Sequence, residues 1–251
     1  MANQEVNGKV VLIAGGAKNL GGLLSRDFAA QGAKLVIRYN SESTRAEAEK
    51  TLSDVQAIGA EGLLVQGDLT QLSNIKALFD KAEEKFGKVD IAINTVGKVL
   101  KKPFVETSEL EYDSMSDINS KAAYFFILEA GKRINDNGKI CTVVTSLLAA
   151  YTGLYSTYAG IKAPVEHFTR AASKEFGPRG ISVTAVAPGP MDTPFFYGQE
   201  SEDAVAYHKS ASALGGLTDI KDIAPLIEFL VTDGWWITGQ TIFANGGYTT
   251  R

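Results

Sequence analysis

The stretch from Lys9 to Phe28 constrains this chain more than any other. Lys9–Ala14 reads Lys-Val-Val-Leu-Ile-Ala, a short apolar run of the kind that becomes a parallel strand buried on both faces. Gly15-Gly16-Ala17-Lys18-Asn19-Leu20-Gly21-Gly22 follows, and Leu20, Leu23, Leu24 and Phe28 then recur at helical spacing. A helix that starts at a glycine-rich turn aims free N–H groups at it, which suits an anion such as a pyrophosphate. The alternative is an ordinary tight turn with no ligand. Four glycines in eight residues, after the first strand, favour the phosphate. None of the Gly-Lys pairs in the chain is followed by Ser or Thr, so this is not a P-loop.

The alternation of apolar run and helical pattern then repeats. Lys34–Ile37 is a second strand, ending at Arg38-Tyr39-Asn40. In a dinucleotide fold a carboxylate at that point would bind ribose hydroxyls. Here Arg38 stands instead, with Lys18 within possible reach; two cations and no carboxylate favour a 2′-phosphate, unless both are simply solvated. Ser41-Glu42-Ser43 opens a charged helix to about Gly59. Leu63–Gln66 is a third strand, followed by Asp68-Leu69, where Asp68 either borders a ligand crevice or caps the next helix. Ile75, Leu78, Phe79, Ala82 and Phe86 mark that helix. Val89–Ile93 is the fourth strand, and Asn94-Thr95-Val96-Gly97 is a turn at its end. Residues 108–134 hold one or two long helices, with Asn119 in an otherwise apolar stretch where its amide must find partners.

Ile140–Val144 reads as the fifth strand, with Ser146 just beyond it, and Tyr158-Ala159-Gly160-Ile161-Lys162 follows on a helix. Residues four apart share a helical face. An ammonium beside a phenol favours the phenolate and lowers its pKa, and such a phenol exchanges protons with a carbonyl or carbinol oxygen. The Ser146 hydroxyl is placed to donate to the same oxygen. Alone, the Tyr-Lys pair reads equally as an exposed helix pair. Pro164 is expected to kink this helix or to leave a backbone bond to a water-lined face. Ile181–Ala187 is the sixth strand and ends in Pro188-Gly189-Pro190-Met191-Asp192-Thr193-Pro194. Residues 195–215 look least regular and rich in aromatics. They are expected to form a mobile lid, about 190–215, over an apolar pocket near Val96, Leu148, Tyr151, Tyr155, Phe195 and Phe196, the alternative being a surface helix pair with its aromatics in the core. Ile220–Val231 is a helix and Gln240–Phe243 a last strand.

Composition removes several function classes. A net charge of −4 over 251 residues gives neither a nucleic-acid footprint nor a polybasic membrane patch. The single Cys141 allows no intrachain disulfide and sits in an apolar run, as a small buried side chain. His167 and His208 stand far apart with no Cys/His cluster, so no metal site is expected. No Gly-x-Ser-x-Gly is present, against an α/β-hydrolase. Met1–Gly8 lacks a signal-peptide core and no run reaches membrane-span length, so a cytoplasmic protein without membrane contact is expected. Neither a linker nor a repeat divides the chain, and residues 1–251 are read as one α/β catalytic domain.

Taken in order, Gly15–Gly21, Asp68-Leu69, Asn94-x-x-Gly97, Asn119, Ser146, Tyr158-x-x-x-Lys162, Pro188-Gly189 with Thr193, and the terminal Gly246-Gly247 resemble the short-chain dehydrogenase/reductase family over nearly the whole chain. The resemblance implies a Rossmann-type, doubly wound seven-stranded parallel sheet flanked by helices, hydride transfer between NADP(H) and a small carbonyl or alcohol substrate, and a homotetramer. It implies Tyr158 as proton donor or acceptor, Lys162 lowering its pKa and holding the nicotinamide ribose, Ser146 orienting the substrate oxygen, and Asn119 anchoring a water linked to Lys162. Gly15, Lys18, Asn19, Leu20 and Gly21 would face the phosphates. Arg38, Tyr39 and Asn40 would surround the 2′-substituent. Asp68 and Leu69 would bound the adenine, Asn94 and Gly97 the ribose, and Pro188, Gly189 and Thr193 the nicotinamide end. The chain departs from the family pattern at Ala14, at Asn19 (where a glycine is usual), at Asn94-Thr95-Val96-Gly97, and in a Ser146-to-Tyr158 spacing one residue short of the commonest. Two alternatives stand beside an NADPH-dependent carbonyl reductase: an NAD-dependent alcohol dehydrogenase of the same fold, and a non-catalytic dinucleotide-binding sensor or scaffold.

Overall fold

A computed structural model describes residues 5–250. Seven parallel strands form one sheet in the order β3-β2-β1-β4-β5-β6-β7. The strands are β1 (Val10–Ala14), β2 (Lys34–Tyr39), β3 (Gly62–Gln66), β4 (Ile91–Asn94), β5 (Lys139–Val143), β6 (Ser182–Pro188) and β7 (Thr241–Ala244). Between them run α1 (Asn19–Ala30), α2 (Arg45–Ala57), α3 (Leu72–Phe86), α4 (Glu109–Ser116), α5 (Ala122–Arg133), α6 (Ser156–Phe176), α7 (Pro194–Tyr197), α8 (Glu202–Ala211) and α9 (Ile220–Val231). The seven strands expected from the apolar runs are all present, each shifted by two residues or fewer at either end.

Alternation along β1 explains the layering. Val11 and Ile13 enter one apolar cluster, with Leu24 and Phe28 of α1 and Ile223 and Ile227 of α9. Val10, Leu12 and Ala14 enter a second, with Ile75, Leu78 and Phe79 of α3 and Phe126 of α5. Successive strand side chains point to opposite faces, so a strand apolar at every position needs cover on both sides.

The chain winds outward from β1 in both directions, first to β2 and β3, then back to β4 and onward. A crevice opens where such an order reverses, outside the carboxyl ends of the strands. Gly15 follows β1, and Thr95 to Gly97 follow β4, so both turns meet there.

Three segments take one of the forms that the sequence leaves open. Residues 195–215 are not irregular: α7 and α8 occupy most of the segment, and Ser201 caps α8 by accepting from the Ala204 amide at 3.3 Å. Helix α6 runs unbroken through Pro164, which lies on its exposed side. Between α4 and α5 the helix continues through one wide π turn, Asp117–Lys121, that contains Asn119. Among the described residues no helix is long and apolar enough to cross a membrane.

Candidate active site

Two cavities lie side by side at the carboxyl ends of the strands. The larger, of about 1220 Å³, runs from the glycine turn to Lys162. The smaller, of about 600 Å³, lies beneath α7. Tyr158, Val144, Met191 and Phe195 border both, so the two spaces meet at the Tyr158 ring.

At one end of the larger cleft the turn brings Gly15, Lys18, Asn19, Leu20 and Gly21 onto the wall. A Cβ on Gly21 would sit 2.1 Å from the Gly15 carbonyl oxygen, so only glycine lets α1 start this close to the turn. Asn19 adopts φ 50°, the left-handed region that asparagine tolerates better than most residues. The first turn of α1 has no acidic residue and its N-cap, Lys18, makes no side-chain cap bond. Its free N–H groups therefore face the cleft without an internal acceptor, which is what an anionic ligand needs. Thr95 supports the turn by donating to the Ala14 carbonyl at 3.1 Å.

Arg38, Tyr39, Asn40 and Thr44 form the far end. Arg38 is buried, and its Nε donates to the Gly67 carbonyl at 2.7 Å while Nη2 reaches Asn40 Oδ1 at 2.7 Å. Nη1 makes no such bond among the described residues. Burial lowers the guanidinium pKa to about 10, with Asp68 opposing, so it stays charged at neutral pH. The Lys18 ammonium pairs with Glu47 at 3.1 Å in an exposed position. Asp68, Leu69 and Asn94 do not line the cleft. Asp68 accepts from the Thr70 amide at 2.9 Å and shapes the turn before α3, whose N-cap is Gln71. Leu69 belongs to the apolar core. Asn94 is buried and accepts from the Val96 amide at 3.0 Å.

At the near end Gly97, Thr193, Tyr158 and Lys162 line the cleft. A Cβ on Gly97 would meet Asn119 Oδ1 at 3.0 Å and Lys162 Nζ at 3.1 Å, so these two groups flank it. Asn119 is fully buried and satisfied: its amide donates to the Lys98 and Met115 carbonyls and accepts from the Lys98 amide at 3.1 Å. Pro188 and Gly189 line the smaller cavity instead.

The electrostatics of the Tyr-Lys pair reverse the expectation. Burial pushes the Tyr158 phenol up to about 12, partly offset by a hydrogen bond with Thr145. Burial pushes Lys162 down to about 8. The Lys162 ammonium donates to the Val96 and Val143 carbonyls at 3.1 and 3.2 Å. Desolvation of both groups outweighs any help the ammonium gives the phenolate, so the phenol is neutral at physiological pH.

The side-chain hydroxyl that opposes this rise at Tyr158 is that of Thr145, the neighbour of Ser146. Both line the smaller cavity, with Thr145 in extended backbone at the end of β5 and Ser146 beginning a short 3-10 turn. Thr145 stands thirteen residues before Tyr158, one more than Ser146, which removes the spacing shortfall. That shortfall was the signal in the sequence. The expected apolar pocket also changes. Tyr155, Phe195 and Phe196 line the smaller cavity, but Val96 lines the larger one, Leu148 packs in the core and Tyr151 is fully exposed. Glu200, His208 and Tyr248 complete the small cavity, and the sequence reading missed all three as wall residues. Cys141 is buried and pushed up to about 12, as expected of an inert thiol. No group of three or more His, Cys, Asp or Glu among the described residues is placed to hold a metal ion.

A family model described as enoyl-(acyl carrier protein) reductase matches residues 15–249. A short-chain type dehydrogenase/reductase from Picea abies is 32% identical over 251 residues, covering 96% of this chain and 93% of that protein. An NADPH-dependent aldehyde reductase-like protein, chloroplastic, from Arabidopsis thaliana is 30% identical over 256 residues, covering 96% and 94%. A Burkholderia cenocepacia chain crystallised with bound NADP is 63% identical, with a TM-score of 0.98, covering 100% of this chain and 97% of that one.

Proposed function

The chain belongs to the short-chain dehydrogenase/reductase family of oxidoreductases, and from that premise we propose that it reduces the carbonyl of a ketone or aldehyde with NADPH, and reversibly oxidises the alcohol. The observation that carries this reading is the meeting of the two cavities at Tyr158, with Thr145 and Lys162 beside it. The wall of the larger cleft fits NADP(H). The uncapped first turn of α1 suits the pyrophosphate, and the buried Arg38 with an uncommitted Nη1 suits a 2′-phosphate. The relatives whose names carry NADP or NADPH support the same choice.

When bound, the nicotinamide supplies the hydride. Tyr158 supplies the proton, which leaves its phenolic oxygen for the substrate oxygen as that oxygen gains negative charge. A phenol raised to about 12 holds its proton at neutral pH and so is in the form that reduction requires. Thr145, in place of the expected Ser146, donates a hydrogen bond to the same substrate oxygen. Lys162 would supply positive charge to the developing phenolate and would hold the nicotinamide ribose of a bound cofactor, and Asn119 holds the loop at Lys98 against which Lys162 packs. Pro188, Gly189 and Thr193 close the site from β6.

The test is NADPH oxidation followed at 340 nm with a panel of aliphatic and aromatic ketones and aldehydes. Turnover in the wild type that falls by about 10³-fold in Tyr158→Phe supports the proton assignment; turnover that survives in Tyr158→Phe defeats it. We also retain a homotetramer, for which exposed Phe104, Val105, Leu110 and Tyr112 around α4 offer apolar surface. Light scattering on the purified protein tests it.

A further inference from the structure

The smaller cavity has an apolar wall, formed by Val99, Leu147, Met191, Phe195 and Phe196, and a polar one that the reaction does not use. The polar wall centres on Glu200, between α7 and α8, whose side chain is only 2% exposed. Lys101 pairs with its Oε2, and the Tyr155 hydroxyl donates to its Oε1. His208 Nε2 lies 3.5 Å from Oε2, and His208 Nδ1 lies 2.8 Å from the Tyr248 hydroxyl. Lys101 is not on the cavity wall; Tyr155, Glu200, His208 and Tyr248 are.

The direction of each hydrogen bond follows from the carboxylate. A carboxylate only accepts, so the imidazole proton belongs on Nε2, which faces it. Nδ1 is then an acceptor, and the Tyr248 hydroxyl donates to it. Burial lowers the His208 pKa, with Glu200 opposing, in keeping with a neutral ring carrying a single proton. Tyr155 and Tyr248 have therefore both spent their protons inside the network. What they and Glu200 present to the cavity is oxygen lone pairs. Lys101 balances the charge of Glu200, so this network is neutral but accepting. Gln199 also lines the cavity, but it is exposed and its side chain makes no hydrogen bond to this network among the described residues.

We propose that this wall recognises a hydroxyl group that the substrate carries in addition to its carbonyl, so that the enzyme prefers hydroxylated ketones or aldehydes with an apolar body and rejects carboxylated ones. A ligand reaching these oxygens must bring its own donor, and a carboxylate or phosphate would set acceptor against acceptor. The proposal rests on the carbonyl-reductase reading of the same site.

The test separates the two. Acetophenone, 3- and 4-hydroxyacetophenone and 4-carboxyacetophenone are titrated calorimetrically into NADP⁺-loaded protein, in which no reduction occurs. At least one hydroxylated ketone is expected to bind about tenfold more tightly than acetophenone, the scale of one hydrogen bond to a charged network, and the carboxylated one more weakly. In Tyr248→Phe and Glu200→Gln the hydroxyl preference is expected to shrink to about twofold or less. Equal or weaker binding of both hydroxylated ketones, absence of binding by all four, or a preference that survives in both variants would overturn the proposal. The same ketones are then assayed with NADPH. Turnover without hydroxyl preference leaves carbonyl reduction standing and removes the present inference. Hydroxyl-dependent binding without turnover supports the inference and counts against reduction.

Discussion

Lys162 donates to the Val96 carbonyl at 3.1 Å and so ties α6 to the loop leaving β4. The ammonium is buried, and burial lowers its pKa from 10.5 to about 8. Between those values the unfolded chain binds more protons than the folded one, so stability rises with pH across that window. Below about pH 8 the full cost of burying the charge is present. In the protein without cofactor, the wild type should therefore gain about 3 kcal/mol relative to Lys162→Met between pH 7.5 and 10.5. Urea unfolding of both proteins at the two pH values measures the difference. Parallel stability curves would show that Lys162 is not buried as a charge.

Thr145 and Ser146 are adjacent and both line the cavity at Tyr158, and of the two Thr145 opposes the rise in the phenol's pKa. Thr145→Val should lower kcat by about 10²- to 10³-fold, the effect of removing a donor aimed at a developing oxyanion. Ser146→Ala should lower it by less than about tenfold, and neither should alter NADPH affinity. Steady-state kinetics on the two variants decides, and the reverse order of severity would return the role to Ser146.

Asn19 holds φ 50° in the phosphate turn. Asn19→Gly should keep both stability and NADPH affinity, since glycine takes that angle freely. Asn19→Ala should cost about 1 kcal/mol, because alanine pays for the left-handed angle without a side-chain amide to offset it. Thermal unfolding of the two variants checks this; equal stability would mean that the turn relaxes.

Much of this was legible in the sequence because it depends on local pattern. The seven strands announced themselves as apolar runs, and Gly15, Arg38, Gly97, Tyr158 and Lys162 line one cleft as the family resemblance implied. What was not legible depends on partners distant in sequence. Asp68 and Asn94 spend their side chains on backbone amides of their own turns, and Leu69 on the core. No pattern announces that Glu200 will meet Lys101, Tyr155 and His208, which come from three other segments. The Tyr158 pKa went the opposite way because sequence shows its proximity to Lys162 but not the depth of burial.

Arg38 also fastens β2 to the loop at Gly67. Arg38→Asp should therefore do two things. It should lower NADPH affinity by at least about tenfold, through loss of a charged partner for the 2′-phosphate. It should also destabilise the fold by about 1–3 kcal/mol, because the Gly67 carbonyl loses its donor. Fluorescence titration and urea unfolding read the two effects separately, and unchanged affinity would remove Arg38 from the 2′-phosphate site.

The most direct measurement is the affinity of the unmodified protein for NADPH and for NADH, titrated separately. Binding of NADPH at least about tenfold tighter than NADH is the expected result, the difference being a phosphate held by charge-assisted bonds. Equal affinities or a preference for NADH would contradict the choice of cofactor, and binding of neither would contradict the assignment of the cleft itself.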